Sequence, residues 1–242
     1  MTVWWLGYLA LGAFAGFFAG LLGIGGGSVM VPALVMLFAA QGFPAGEVMH
    51  LALGTSMAAI FFTSISSVRT HHAHGAVRWE IVKGIAPGVL FGTFGGTFIA
   101  AHVASAPLAI FFACFMAYVS LQMILNVKPK PSRELPGALG LAGVGSGIGL
   151  ISSLVAIGGG SLSVPFMTWC NVKMQHAIGT SAAIGLPIAV AGALGYLING
   201  WGSAGLPAWS VGYIYLPALL TVSALSFLTA PLGARLAHRL PV

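Results

Sequence analysis

The stretch "IGGGSVMVP" (Ile24–Pro32) returns in the second half of the chain as "IGGGSLSVP" (Ile157–Pro165), with seven of the nine positions identical. Three successive glycines weaken a helix and leave main-chain groups without partners. Both copies lie among long apolar runs. Unpaired backbone at membrane depth is tolerated only where it is buried in protein or lines a wet cavity. The repeated motif therefore predicts two interrupted helices inside a membrane domain.

The composition supports the membrane part of that reading. Apolar residues make up 58% of the chain and charged residues 5%, whereas soluble domains carry about a quarter charged residues. Several apolar runs are long enough to cross a bilayer. There is no aspartate, and the acids are Glu47, Glu80 and Glu134. The Lys and Arg residues fall almost entirely between the apolar runs, so the positive net charge reads as loops facing an anionic leaflet. No basic patch interleaved with aromatics appears, which argues against a nucleic-acid partner. Cys114 and Cys170 stand alone, form no CxxC pair, and read as small apolar fillers. The start, "MTVWWLGYLALGAFAG", lacks a basic leader region and reads as the first membrane segment.

Apolar segments are expected at 4–22, 28–43, 48–68, 79–101 and 106–125. A polar, proline-punctuated linker follows at 126–134, then segments at 135–156, 161–170, 177–199 and 209–231. The chain is read as one transmembrane domain of two repeats, 4–125 and 135–242. The second repeat lacks a counterpart of the last helix of the first. "ALGTSMA" from Ala52 matches "AIGTSAA" from Ala177, in the same order after each glycine motif. Segments 28–43 and 161–170 are short for a crossing and are expected to be tilted or re-entrant.

Positive charge sets the orientation. Arg69, Arg78 and Lys83 place the 69–83 region in the cytoplasm, and Lys128, Lys130 and Arg133 place the linker there too. Lys173, Arg235 and Arg239 also fall inside, which leaves the uncharged loop 200–208 outside. Equivalent loops of the two halves then lie on opposite sides. The expected fold is an all-α polytopic membrane protein with two inverted structural repeats and glycine-rich helix breaks, an architecture of secondary transporters. Gly12, Gly16 and Gly20, and Gly84, Gly88, Gly92 and Gly96, recur every fourth residue and predict close helix packing. Trp4, Trp5, Trp79, Trp201 and Trp209 suit aromatic belts at segment ends.

The breaks also suggest chemistry. Ser28 and Ser161 read as N-caps of the helices that follow, with Pro32 and Pro165 in their first turns. Each break would then present free N–H groups and a positive helix end, which is a device for binding anions. The expected substrate-binding set is Gly25, Gly26, Gly27, Ser28, Gly158, Gly159, Gly160 and Ser161. The duplicated hydroxyls Thr55, Ser56, Thr180 and Ser181 are candidates for lining the path; back-bonding to their own helices is the alternative.

These motifs, the Gly-rich break with Ser and Pro, the Gly-Thr-Ser helix start and the duplication, resemble the sulfite exporter TauE/SafE family of bacterial inner-membrane permeases. The resemblance covers nearly the whole chain. It implies a small anionic substrate of the sulfur-oxy class, such as sulfite or sulfoacetate, moved outward across the bacterial inner membrane. The chain departs from the family in ending at Val242, where members continue into a further apolar helix.

Other residues invite a role. "HHAH" (71–74) is a possible metal binder on a flexible loop, but no Cys or Asp joins it, and no metal is assigned. His50 and His176 precede the two Gly-Thr-Ser motifs and are candidates for proton coupling or anion contact; interfacial helix starts are the plainer reading. No acid lies deep in an apolar run, no Walker, HExxH or GxSxG motif occurs, and no cofactor is implied. The leading expectation is a carrier for a small anion in a lipid bilayer, with homo-oligomerisation left open. An anion channel is the alternative, followed by a membrane enzyme or scaffold.

Overall fold

The computed structural model describes residues 2–23, 25–125 and 132–239. Nine helices follow in order among these residues: α1 (Thr2–Leu22), α2 (Gly27–Ala40), α3 (Val48–Ala73), α4 (Trp79–His102), α5 (Ser105–Ile124), α6 (Ala138–Val155), α7 (Gly160–Trp169), α8 (Met174–Asn199) and α9 (Leu216–Arg239). A two-residue hairpin, β1 (Ser210–Val211) with β2 (Ile214–Tyr215), precedes α9. Seven helices are long and apolar enough to cross a membrane. Their outer faces suit lipid: Phe91, Ile124 and Leu139 are at least 80% exposed, an arrangement water would oppose.

At 1.5 Å per residue, α2 and α7 reach only about 21 and 15 Å, short of the roughly 30 Å hydrocarbon core. Their far ends carry polar residues, Gln41 and Glu47 after α2, Asn171 and Lys173 after α7. With those ends at a membrane surface, both helices start within the core. The glycine breaks lie there.

Packing follows from small residues. Helix α1 packs chiefly on α9, and α4 on α6. A methyl on Gly16 or Gly20 would strike the backbone of Ser226 or Ala230, and one on Gly88 or Gly92 the backbone of Ala142 or Ser146. Lipid offers no hydrophobic drive between helices, so such close approach supplies the van der Waals contact. The pairings are the same when the halves are exchanged. The first helix of each half packs on the long helix that ends the equivalent stretch of the other, and α3 packs on α8 at the centre. Helix α5 sits at the rim, with 11% of its best apolar window buried.

Several boundaries differ from the sequence reading, and four of the differences bear on the site. Helix α3 runs on to Ala73, so His71 and His72 are helical and not part of a flexible loop. The last helix begins at Leu216 instead of 209, because Ser210–Tyr215 forms the hairpin and tucks Tyr213 against the start of α3. The other two corrections are at the breaks. Helices α2 and α7 start at Gly27 and Gly160, with Gly26 and Gly159 in the N-cap position and no side-chain cap. Ser28 and Ser161 therefore sit one residue inside the helices and do not cap them. Pro32 and Pro165 fall in the second turn, where each ring faces the carbonyl four residues back. Ile24 and linker residues 126–131, including Lys128 and Lys130, lie outside the described residues.

Candidate functional site

Each break has the same construction. The preceding helix ends in a left-handed residue, Gly23 after α1 (φ 67°) and Ala156 after α6 (φ 46°). Three residues later the chain turns again through a left-handed glycine, Gly26 (φ 81°) and Gly159 (φ 82°); in the first break Gly25 (φ 75°) is left-handed as well. A side chain there would cost about 1–2 kcal/mol in backbone strain alone. The first helical residues, Gly27 and Ser28 in α2 and Gly160 and Ser161 in α7, have N–H groups that meet no acceptor among the described residues.

The two breaks meet. A Cβ on Gly25 would lie 2.9 Å from Gly158 Cα, and one on Gly27 would overlap the Ala156 carbonyl. Only chains without side chains can cross this closely. Beside the crossing is a small pocket. Gly25, Gly158 and Gly185 form one side, with Ala19 and Ala182, and α3 contributes Thr63, Ser64 and Ser67. It is too narrow to admit a free water molecule. The sequence motif leads to two turns facing one shared cavity; here that space is pinched shut, because glycine backbones lie in contact where side chains would hold them apart.

Of the residues expected from the sequence, Gly25 and Gly158 line this pocket. Thr55 and Thr180 are fully buried but serve elsewhere. Thr180 Oγ1 accepts the Arg78 N–H at 3.0 Å, just before α4, and Thr55 Oγ1 accepts the Tyr215 N–H at 3.0 Å, just before α9. Each threonine thereby holds the start of a helix from the other half. Ser181 Oγ donates to the carbonyls of Ile178 (2.8 Å) and Gly23 (3.1 Å) as alternatives, the second tying α8 to the end of α1. Ser56 is buried without a partner among the described residues.

The histidines have structural partners. His50 Nε2 lies 3.1 Å from the carbonyls of both Ala100 and Val103 and ties α3 to the end of α4. Its ring stacks on Tyr213 at 5.0 Å. His176 Nδ1 lies 3.3 Å from the Ala76 carbonyl. His71, buried, donates from Nε2 to the Gly20 carbonyl at 3.1 Å and accepts at Nδ1 from His238 Nε2 at 3.0 Å. Tyr196 makes the matching bond in the other half, donating to the Ser153 carbonyl at 2.8 Å. Among the described residues, no three His, Cys, Asp or Glu groups converge to hold a metal. Cys170 is buried, which raises its thiol above the ordinary value.

Sequence reading missed Thr63, Ser64 and Ser67. The signal was "TSISS" (63–67), hydroxyls spaced three and four apart on one face of an otherwise apolar helix. A groove between α4 and α8 offers an anion no donor, being lined by Leu90, Phe91, Phe94, Val190, Ala191 and Leu194.

Among the described residues, seven membrane-length helices, two half-length helices and buried breaks in glycine define a multi-pass membrane protein. Residues 8–242 match the family described as Sulfite exporter TauE/SafE, and the chain belongs to that family. A probable membrane transporter protein of Haemophilus influenzae is 40% identical over 236 residues, covering 97% of this chain and 89% of its own. One from Bacillus subtilis is 29% identical, with 77% and 76% covered, and one from Methanocaldococcus jannaschii is 25% identical, with 96% and 86% covered. No solved structure matches the chain.

Proposed function

We propose that the protein is a secondary carrier in the bacterial inner membrane that exports a small anion of the sulfur-oxy class by alternating access. The observation that carries this reading is the crossing of the two glycine breaks beside a closed polar pocket. Two helix starts whose first amides meet no acceptor among the described residues lie near one point, a setting that favours negative charge. The closed pocket favours a carrier over a channel: an anion reaches it only when the helices around the crossing move apart. Interlocked pairing of α1 with α9 and α4 with α6 gives two rigid bodies that can rock about that point. The sulfur-oxy substrate and the outward direction follow from the family's description alone.

Proteoliposomes test the reading. Sulfite loaded inside should accelerate entry of labelled sulfite, and uptake should saturate. Flux at ion-channel rates without acceleration would favour the channel, and no flux of sulfite, thiosulfate, sulfonates or carboxylates would end the transport reading. The inverted arrangement has its own test in a chain with Cys114 and Cys170 replaced. An impermeant thiol reagent should label Ala204→Cys from outside the cell and Ala73→Cys only from the cytoplasmic side. Labelling of both from one side would contradict it.

A further inference from the structure

The pocket at the crossing has two kinds of wall. One is duplicated backbone, Gly25 and Gly158. The other is a stripe of hydroxyls on α3 that the repeat does not copy. Aligning Gly-Thr-Ser in the two halves places Ile188, Ala189 and Gly192 of α8 opposite Thr63, Ser64 and Ser67. Hydroxyl lining thus comes from one half only.

Thr63 Oγ1 donates to the Ala59 carbonyl at 3.0 Å and lies 2.8 Å from Ser226 Oγ, so its bonding is largely taken up. Ser67 differs. It is 2% exposed, lines the pocket, and its Oγ has no partner among the described residues. A buried hydroxyl without a partner costs free energy in the resting protein, and serine in an apolar helix ordinarily bonds back to its own turn. Ser64, also buried, lines the same wall.

Charge is the other half of the observation. No residue lining the pocket is charged or titratable. Taking charge out of water scales with its square, so a dianion costs about four times as much as a monoanion to bring here, with no cation to offset it. The lining also holds an acceptor. A methyl on Gly185 would come within 2.9 Å of the Gly158 carbonyl oxygen and 3.2 Å of Ser64 Oγ. A singly protonated oxyanion can meet that carbonyl with its own O–H, while a bare dianion brings only repulsion.

We infer that Ser64 and Ser67 complete the binding site at the glycine crossing and restrict it to singly charged oxyanions, of which hydrogen sulfite is the best fit. This rests on the anion-transport reading above. In the opened carrier the two hydroxyls donate to the anion's oxygens from α3 while the breaks face it from the other side.

The experiment is uptake of labelled sulfite into proteoliposomes at equal pH on both sides, with methanesulfonate (a monoanion) or sulfate (a dianion) as competitor. At fixed total sulfite, uptake should fall as pH rises through the second ionisation of sulfite. Methanesulfonate should compete, and sulfate at the same ionic strength should not. Ser67→Ala should raise KM about ten- to a hundredfold, the worth of one hydrogen bond to an anion. Its melting temperature should stay equal or rise, because the deleted hydroxyl has no partner to lose. A structural serine would give the reverse, a lower melting temperature and an unchanged KM, and that result overturns the role given to Ser67. Sulfate competing as well as methanesulfonate overturns the charge restriction while leaving anion transport intact. Absence of uptake of any of these anions by the unsubstituted protein overturns the transport reading itself.

Discussion

Helices α3 and α8 are built alike at their starts and differently below. Each carries Gly-Thr-Ser within its first three turns, and each threonine accepts the amide just before a helix of the other half. A few turns on, His71 and Tyr196 also match, each donating to a carbonyl near the end of the first helix of its own half. Between these shared points α3 carries Thr63, Ser64, Ser66 and Ser67, whereas α8 carries Ile188, Ala189, Ala191 and Gly192. The duplicated threonines hold the halves together and the matched His71 and Tyr196 tie helices within each half; the pocket's hydroxyls lie where the halves have diverged. Scaffold and specificity are thus separable along a single pair of helices.

If the shared parts are equivalent, matched substitutions should have matched effects. The largest belong to the two glycine seams. Gly16→Ile against α9 and Gly88→Ile against α6 should each destabilise by about 3 kcal/mol or more, because the added side chain meets backbone. Gly95→Ile, with open space around it, should be neutral or stabilise by up to about 1 kcal/mol, because glycine is the poorer helix former. Thermal unfolding in detergent reads these values, and a seam that tolerated isoleucine would show that the helices are not packed as described.

Next come the crossing threonines. Thr55→Val and Thr180→Val each leave a partly buried amide without its acceptor and should cost about 1–3 kcal/mol, with similar values for both and no change in KM. A large loss in one and none in the other would break the equivalence. The smallest effects are expected for Tyr196→Phe and His71→Phe, about 1 kcal/mol each by the same unfolding measurement.

The residues show why only part of this was legible in the sequence. The breaks could be read because three glycines in an apolar run have few physical explanations, and their duplication removed most of those. The every-fourth glycines of α1 and α4 could be read for the same reason. Thr55 and Thr180 could be singled out as a repeated pair, but their partners lie 160 and 102 residues away in sequence. No local pattern encodes such a contact. Ser28 and Ser161 have the right chemistry for N-caps, yet left-handed glycines at Gly26 and Gly159 start the helices two residues earlier. The hydroxyls of "TSISS" were visible as a stripe, but which neighbour they faced depended on how α3 and α8 pack. The hairpin before α9 was hidden because Ser210–Tyr215 reads as a plain continuation of the apolar run.

The central claim is that a small anion is held where the two breaks cross. The most direct measurement adds one methyl group there. Gly25→Ala places a Cβ against Gly158, whereas Gly46→Ala places one in open space. With equal amounts of folded, inserted protein, exchange of labelled sulfite between the two faces of the liposome should vanish in Gly25→Ala and persist in Gly46→Ala. Undiminished exchange in Gly25→Ala would contradict the claim.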